Sequence, residues 1–335
     1  MMISQSDYLV QIPSFEGEGS ERLHLLQTPS SEERDSEGSV FINLAGYQFI
    51  TLDHLPELKE RLFHFCQQHE IKGTILLTPE GINFFVAGVR DSMAQLLGEL
   101  RSIPGLANLE VKESESVEQP FRRMLVKIKN EIITFGVEGI EPARYSSPKL
   151  PAKTLKEWLD AGKKLILLDT RNDYEVRMGT FSGALPAGIN HFRNFPDAVK
   201  KIPEELKEAA IVMFCTGGIR CEKAGPFMER EGFKNIFQLE GGILNYFKEC
   251  GGAHYEGECF VFDKRVGVDS ALRETKSIMC FKCQMPLTEE DQLHPHYTIE
   301  KSCPHCFDRE PKKKKINTRR SRRLKKELLE KTELK

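Results

Sequence analysis

The sequence predicts an α/β and α+β multidomain protein: an N-terminal βαββαβ domain, a central parallel α/β domain and a C-terminal cysteine-rich zinc-binding segment. Three observations predict it. Strand-like and helix-like runs follow one another as β-α-β-β-α-β between residues 39 and 120. Between 152 and 252, short apolar runs alternate with helical patterns, as in a parallel sheet covered by helices. The pairs Cys280-x-x-Cys283 and Cys303-x-x-Cys306 then stand nineteen residues apart, the spacing of a structural zinc site.

Residues 1–38 are polar and are expected to be disordered, because so little apolar surface cannot offset the entropy of ordering. Order begins with the β-like run SVFINLAGYQFI (39–50). In LPELKERLFHFCQQHE (55–70), Leu55, Leu58, Leu62, Phe63 and Cys66 recur on one helical face. GTILLTP and INFFVAG read as two strands around Glu80-Gly81, RDSMAQLLGELRSIPG as a second helix, and LEVKES as the last strand. This order is the ferredoxin-like split motif, a fold that hosts many functions and specifies none.

Residues 121–151 read as a basic strand and a linker. In FRRMLVKIKNEIITFG, Lys127 and Lys129 alternate, with Arg123 just before, and share one face of an exposed strand. That face is either a phosphate-binding surface or simply solvated. The central domain is expected over 152–252, a cysteine-rich segment over 253–309 and a basic tail over 310–335.

The 335-residue length suits two or three domains. No run approaches the ~20 apolar residues of a membrane-spanning helix. The N-terminal residues lack a basic-then-apolar signal pattern. Nine cysteines at reactive and metal-like spacings suit a reducing compartment, so a cytoplasmic location is expected. The net charge of −2 hides an asymmetry: residues 311–335 carry 12 Lys and Arg against 3 Asp and Glu, the rest 36 against 47. A basic tail on an acidic body points to a polyanion partner or to a solvated tail.

The stretch IVMFCTGGIRCEKA (211–224) carries the chemistry. A buried strand ends at Cys215, and the loop Thr216, Gly217, Gly218, Ile219, Arg220 leads into a helix. A thiol facing backbone N–H groups at a helix N-terminus, with an arginine at its rim, is expected to have a lowered pKa. Phosphatase loops also place a cysteine before an arginine, but with five residues between; here there are four, and Phe214 precedes the cysteine rather than His. The smaller ring suits a persulfide or another small thiol adduct. Cys221 either resolves an oxidised Cys215 or packs in the core as free cysteines usually do. Arg171 and Glu175 either shape the pocket or form structural ion pairs.

Cys215's loop resembles the active-site loop of rhodanese domains, and LLDTRNDYEVRMGTFSGAL (167–185) and LEGGILNYF (239–247) resemble further rhodanese blocks. One departure is Gly179-Thr180, where ordinary rhodaneses usually have Gly-His. With LLTPEGIN (76–83), PFRRMLVKIKNEIITFG (120–136) and CFVFDKRV (259–266), the chain over roughly 40–306 resembles the bacterial rhodanese-domain family of tRNA uridine hydroxylases. The resemblance implies a ferredoxin-like domain, a central rhodanese-like domain and a cysteine-rich C-terminal segment. It implies oxygen-dependent hydroxylation at C5 of the wobble uridine of tRNA, with molecular oxygen as co-substrate and Cys215 as the essential cysteine. No flavin, haem or iron motif stands in the sequence, and the Gly-rich loop is too short for a dinucleotide fingerprint. Two rival readings are a thiosulfate-type sulfurtransferase carrying a Cys215 persulfide, and a non-catalytic RNA-binding protein.

Overall fold

The computed structural model describes residues 40–263 and 265–308. The disorder expected over 1–38 and the basic tail at 310–335 lie outside the described residues. The chain divides after Met279 into a larger unit and a small cysteine-bearing unit.

The first part of the larger unit is a five-stranded sheet. The strands are β1 (Phe41–Phe49), β2 (Lys72–Thr78), β3 (Gly81–Gly88), β4 (Val111–Ser116) and β5 (Met124–Ile128), in the order β4-β1-β3-β2-β5. Helices α1 (Leu55–Gln68) and α2 (Arg90–Arg101) bury Leu58, Leu62 and Cys66, and Met93, Leu96 and Leu100. These residues share one core with Ile75, Leu77, Ile82, Phe84 and Val86 of the sheet. Side chains alternate along a strand, so Asn83 and Phe85 point to the opposite face, opposite Tyr47 and Ala45 of β1. That face is half-buried and carries polar and aromatic groups, unlike the apolar face under α1 and α2.

The sheet extends beyond the βαββαβ core. The run 121–136, read above as a separate strand and linker, supplies β5, which pairs parallel with β2 from Gly73↔Met124 to Leu77↔Ile128. An apolar edge strand with Val126 buried adds to the same core, which is the physical reason it does not stand alone.

The second part is a parallel sheet of β6 (Lys149–Leu150), β7 (Ile166–Asp169), β9 (Leu185–Pro186), β10 (Ala210–Phe214) and β11 (Asn235–Leu239), in the order β6-β11-β10-β7-β9. Its helices are α3 (Ala152–Asp160), α4 (Asp173–Val176), α5 (Phe195–Val199), α6 (Ile219–Arg230) and α7 (Gly242–Cys250). Alternate residues of β10 enter different cores: Ile211 and Met213 pack with Phe192, Phe195 and Phe227, whereas Val212 and Phe214 pack with Phe181, Tyr246 and Phe247. Burial on both faces is why this strand reads as a continuous apolar run.

Residues 253–279, assigned above to the cysteine-rich segment, pack within the larger unit. Here β12 (Tyr255–Gly257) pairs antiparallel with β8 (Gly179–Phe181), and β13 (Cys259–Phe260) with β14 (Gly267–Val268). Cys259, Val261 and Val268 join the core beside Phe181, so their apolar character ties them to the parallel-sheet domain. In the small unit, helix α8 (Glu289–Leu293) is capped by Thr288, whose hydroxyl accepts from the Asp291 amide. No described helix is long and apolar enough to cross a membrane.

Candidate active site

Cys215 stands at the carboxyl end of β10, the edge at which open parallel sheets present their sites. It is 1% exposed. The Gly218 amide donates to its Sγ at 3.1 Å. Gly218 has φ 100°, and a Cβ there would lie 2.9 Å from the Tyr47 hydroxyl. Gly242 is the second obligatory glycine, with φ 68° and a Cβ position 2.4 Å from the Cys215 carbonyl oxygen. That close approach lets α7 cap the loop: the Ile243 and Leu244 amides donate to the Cys215 and Thr216 carbonyls at 3.0 and 3.1 Å.

The electrostatics favour the thiolate. Burial pushes the Cys215 thiol up, but the Cys221 S–H beside it, the Arg220 charge and the Arg220 and Gly218 amides outweigh burial and bring it down to about 6. Cys221 moves the other way: burial, then its hydrogen bond to Cys215 and the Cys215 charge, raise its pKa. It is fully buried among Ala224 and Met228, with the Thr170 hydroxyl 3.7 Å from its sulfur.

Two buried ion pairs surround the loop. Arg220 Nη2 donates to Glu175 Oε2 at 2.7 Å. Arg171 is fully enclosed and grips Asp169 through Nε and Nη2, while Nη2 also donates to the Gly179 carbonyl at 2.6 Å. The Thr180 hydroxyl donates to the same Asp169 carboxylate at 2.8 Å, which gives the Gly179-Thr180 departure a structural use. Glu175 thus meets the cysteine loop through Arg220, and Arg171 serves the strand end behind it. Thr216 turns its hydroxyl to the Phe260 carbonyl at 3.4 Å, and Ile219, half-buried, opens α6.

The N-terminal sheet supplies residues that the sequence reading missed. Lys112 Nζ donates to the Gly217 carbonyl at 2.6 Å. The Tyr47 hydroxyl donates to Glu222 Oε1 at 3.3 Å, and Glu222 also receives the Ser146 hydroxyl and pairs with Lys149 at 3.3 Å. Burial lowers the Lys112 pKa, and the Cys215 charge opposes that shift. Lys223, 1% exposed, reaches Glu80 at 2.8 Å and Glu131 at 2.9 Å. The one signal in the sequence was the aromatic and polar character of the sheet face away from the helices.

Arg123, Lys127 and Lys129 are placed elsewhere. They stand on or beside β5, the edge opposite the Lys112-bearing β4, with Lys127 and Lys129 exposed. Four inter-strand spacings separate the two edges, about 19 Å.

In the small unit the Sγ atoms of Cys280, Cys283, Cys303 and Cys306 lie within 4.8 Å of one another. The sulfurs are 3.9 Å apart for Cys280–Cys306, 3.6 Å for Cys283–Cys303 and 3.5 Å for Cys303–Cys306. Four sulfurs at ~2.3 Å from one zinc stand about 3.8 Å apart, so the set fits a tetrahedral ion. The nearby histidines have other partners: His296 stacks on Phe307 at 3.6 Å and His305 faces Asp291.

A family model described as the UPF0176 acylphosphatase like domain matches residues 41–132, and one described as the Rhodanese-like domain matches 151–249. A tRNA uridine(34) hydroxylase of Cupriavidus metallidurans is 44% identical over 272 residues, covering 80% of this chain and 96% of that protein. A protein of the same name from Burkholderia ambifaria is 45% identical over 274 residues, covering 79% and 96%. The chain belongs to the tRNA uridine(34) hydroxylase family. Among solved structures, the rhodanese-like domain of an Anabaena sp. protein is 24% identical, covers 33% of this chain and 80% of its own, and has a TM-score of 0.29. Within this hydroxylase family member, the first matched segment includes β5, in keeping with its pairing in the N-terminal sheet.

Proposed function

We propose that the protein hydroxylates uridine 34 of tRNA, with Cys215 as the nucleophile. The observation that carries the role of Cys215 is its thiol, lowered to about 6 and held by the Gly218 amide at the end of β10. At neutral pH such a thiol is a thiolate, the reactive form. Addition of the sulfur to C6 of uracil forms an S–C6 bond and moves the electron pair onto C5 and O4 as an enolate. Dioxygen supplies one atom to C5; the other leaves as water, with two protons and two electrons from a thiol-class reductant. Loss of the C5 proton and expulsion of the sulfur restore the ring as 5-hydroxyuridine. Arg220 and the loop amides keep Cys215 ionised between turnovers.

The cysteine cluster holds a zinc ion that orders the small unit and stands apart from the chemistry, since four thiolates leave no open position. The substrate is polyanionic, so phosphate contacts position it and the pocket at Cys215 reads the base. The rhodanese-like match favours one further reading, a Cys215 persulfide that donates sulfur.

Nucleoside mass spectrometry separates the two. Transfer RNA from a deletion strain should lack 5-hydroxyuridine and regain it with the wild-type gene but not with Cys215→Ser. Loss of a thiolated nucleoside instead would establish the sulfur reading, and full hydroxylation by the Ser variant would remove Cys215 from the mechanism.

A further inference from the structure

We propose that the Phe262 ring is the surface on which the target uracil stacks when it is turned out of the anticodon loop. In the larger unit only two large aromatic side chains are exposed among the described residues, Tyr145 and Phe262. Tyr145 is engaged with Glu229. Phe262, 45% exposed, stands at the cysteine loop: the Arg220 guanidinium carbon lies 5.8 Å from its ring centroid. Its other neighbours are aromatic. Phe260 meets it edge-on at 5.0 Å and Phe85 of the N-terminal sheet lies at 6.2 Å, while Tyr174 braces Phe260 at 5.4 Å.

The mount is rigid. Val261 donates its amide to the Val266 carbonyl at 2.9 Å, closing the turn that carries Phe262. Arg265 clamps Asp263 through two nitrogens and reaches the Ser114 hydroxyl on β4 at 2.8 Å. An apolar ring is thus held partly in solvent beside Arg220 of the cysteine loop.

A second observation points to a polar, planar ligand. Arg220 is 5% exposed, and its Nη1 is enclosed without a hydrogen-bond partner while Nη2 is taken by Glu175. A buried donor left unpaired is costly, and a uracil carbonyl is an acceptor of the right chemistry for it. Enzymes that act on a base take it out of the stack, and single-stranded loops are held by stacking on aromatic rings. Stacking of this kind tolerates any base, so Phe262 holds the uracil and the loop donors select it.

This inference rests on the hydroxylation reading, and its test is separable from it. The affinity of the full chain is measured under nitrogen for two anticodon stem-loop RNAs, one with uridine at position 34 and one abasic there. The wild type should bind the abasic RNA about tenfold more weakly, the ordinary worth of one base–aromatic stack. Phe262→Ala should bind the two RNAs alike, Phe262→Trp should keep the discrimination, and Phe262→Leu should not restore it. A wild type that binds both RNAs equally, a Phe262→Ala variant that still discriminates, or rescue by Leu would each overturn the proposal. Discrimination through Phe262 in a wild type that forms no hydroxylated product when air and a thiol reductant are supplied would leave the stacking surface standing and remove the hydroxylation reading.

Discussion

Lys112 Nζ, on the edge strand of the N-terminal sheet, donates to the carbonyl of Gly217 at 2.6 Å, 105 positions along the chain. One domain therefore holds the loop that carries the other domain's thiol. The Cys215 thiolate favours a charged Lys112, and by reciprocity Lys112 favours the thiolate. Lys112→Met should raise the Cys215 pKa and weaken transition-state stabilisation by about 1.5–3 kcal/mol, the worth of a hydrogen bond to a charged group. Lys112→Arg should recover part of it. The check is the pH dependence of alkylation alongside kcat/KM; unchanged values in Lys112→Met would show the contact to be incidental.

The depressed Cys215 pKa has a sign that can be read directly. Iodoacetamide should label Cys215 with a midpoint near pH 6 in the folded protein, against ~8.5 for an ordinary thiol. Because the folded value lies below the unfolded one, the thiolate contributes stability above pH ~8.5, and that contribution is lost as pH falls through about 6. Cys215→Ala should flatten this part of the stability profile. Labelling that rises only above pH 8 would contradict the electrostatics described here.

Lys223 is enclosed between Glu80 and Glu131, carboxylates each 23% exposed. Lys223→Met leaves those carboxylates partly solvated, so the cost falls toward the low end for a broken buried pair, about 2–3 kcal/mol. Burial raises the Glu131 pKa, but the Lys223 hydrogen bond and charge with the Phe135 amide win and hold it low. That share of stability is therefore present above the ordinary carboxylate range and is lost as pH falls below it. Thermal melts of wild type and variant across pH 3–7 should converge at the acid end, and parallel curves would refute the pairing.

Freshly purified, reduced protein should contain about one zinc per chain. Cys283→Ser or Cys303→Ser should lower that content, and chelation should expose the four thiols to a colorimetric reagent. Metal-free protein with all four thiols shielded would rule the site out.

Truncation after Arg309 should weaken tRNA binding and flatten its salt dependence, because the basic tail removed carries 12 Lys and Arg. The choice of uridine should not change, since phosphate contacts position the RNA without reading it. Affinities of the full and truncated chains across a salt series decide this. Identical slopes would assign the tRNA footprint to the folded domains.

The sequence by itself determined those features whose physics is local. An apolar run ending in Cys-Thr-Gly-Gly-Ile-Arg places a thiol at a strand end and a helix start, and the structure has β10, Cys215 and α6 in that relation. Two Cys-x-x-Cys pairs at this spacing read as one four-thiolate site, and their sulfurs converge. Tertiary structure alone decided what meets the thiol. Lys112 and Tyr47 lie on strands whose alternation says only that one face is half-buried, and nothing near them in the chain names Gly217 or Glu222 as partners. Likewise β5 joined the first sheet because its apolar side chains complete that core, which left Lys127 and Lys129 on the edge far from Lys112. Periodicity encodes which face is buried; the identity of the covering residue depends on packing between segments a hundred residues apart, for which no short-range pattern exists.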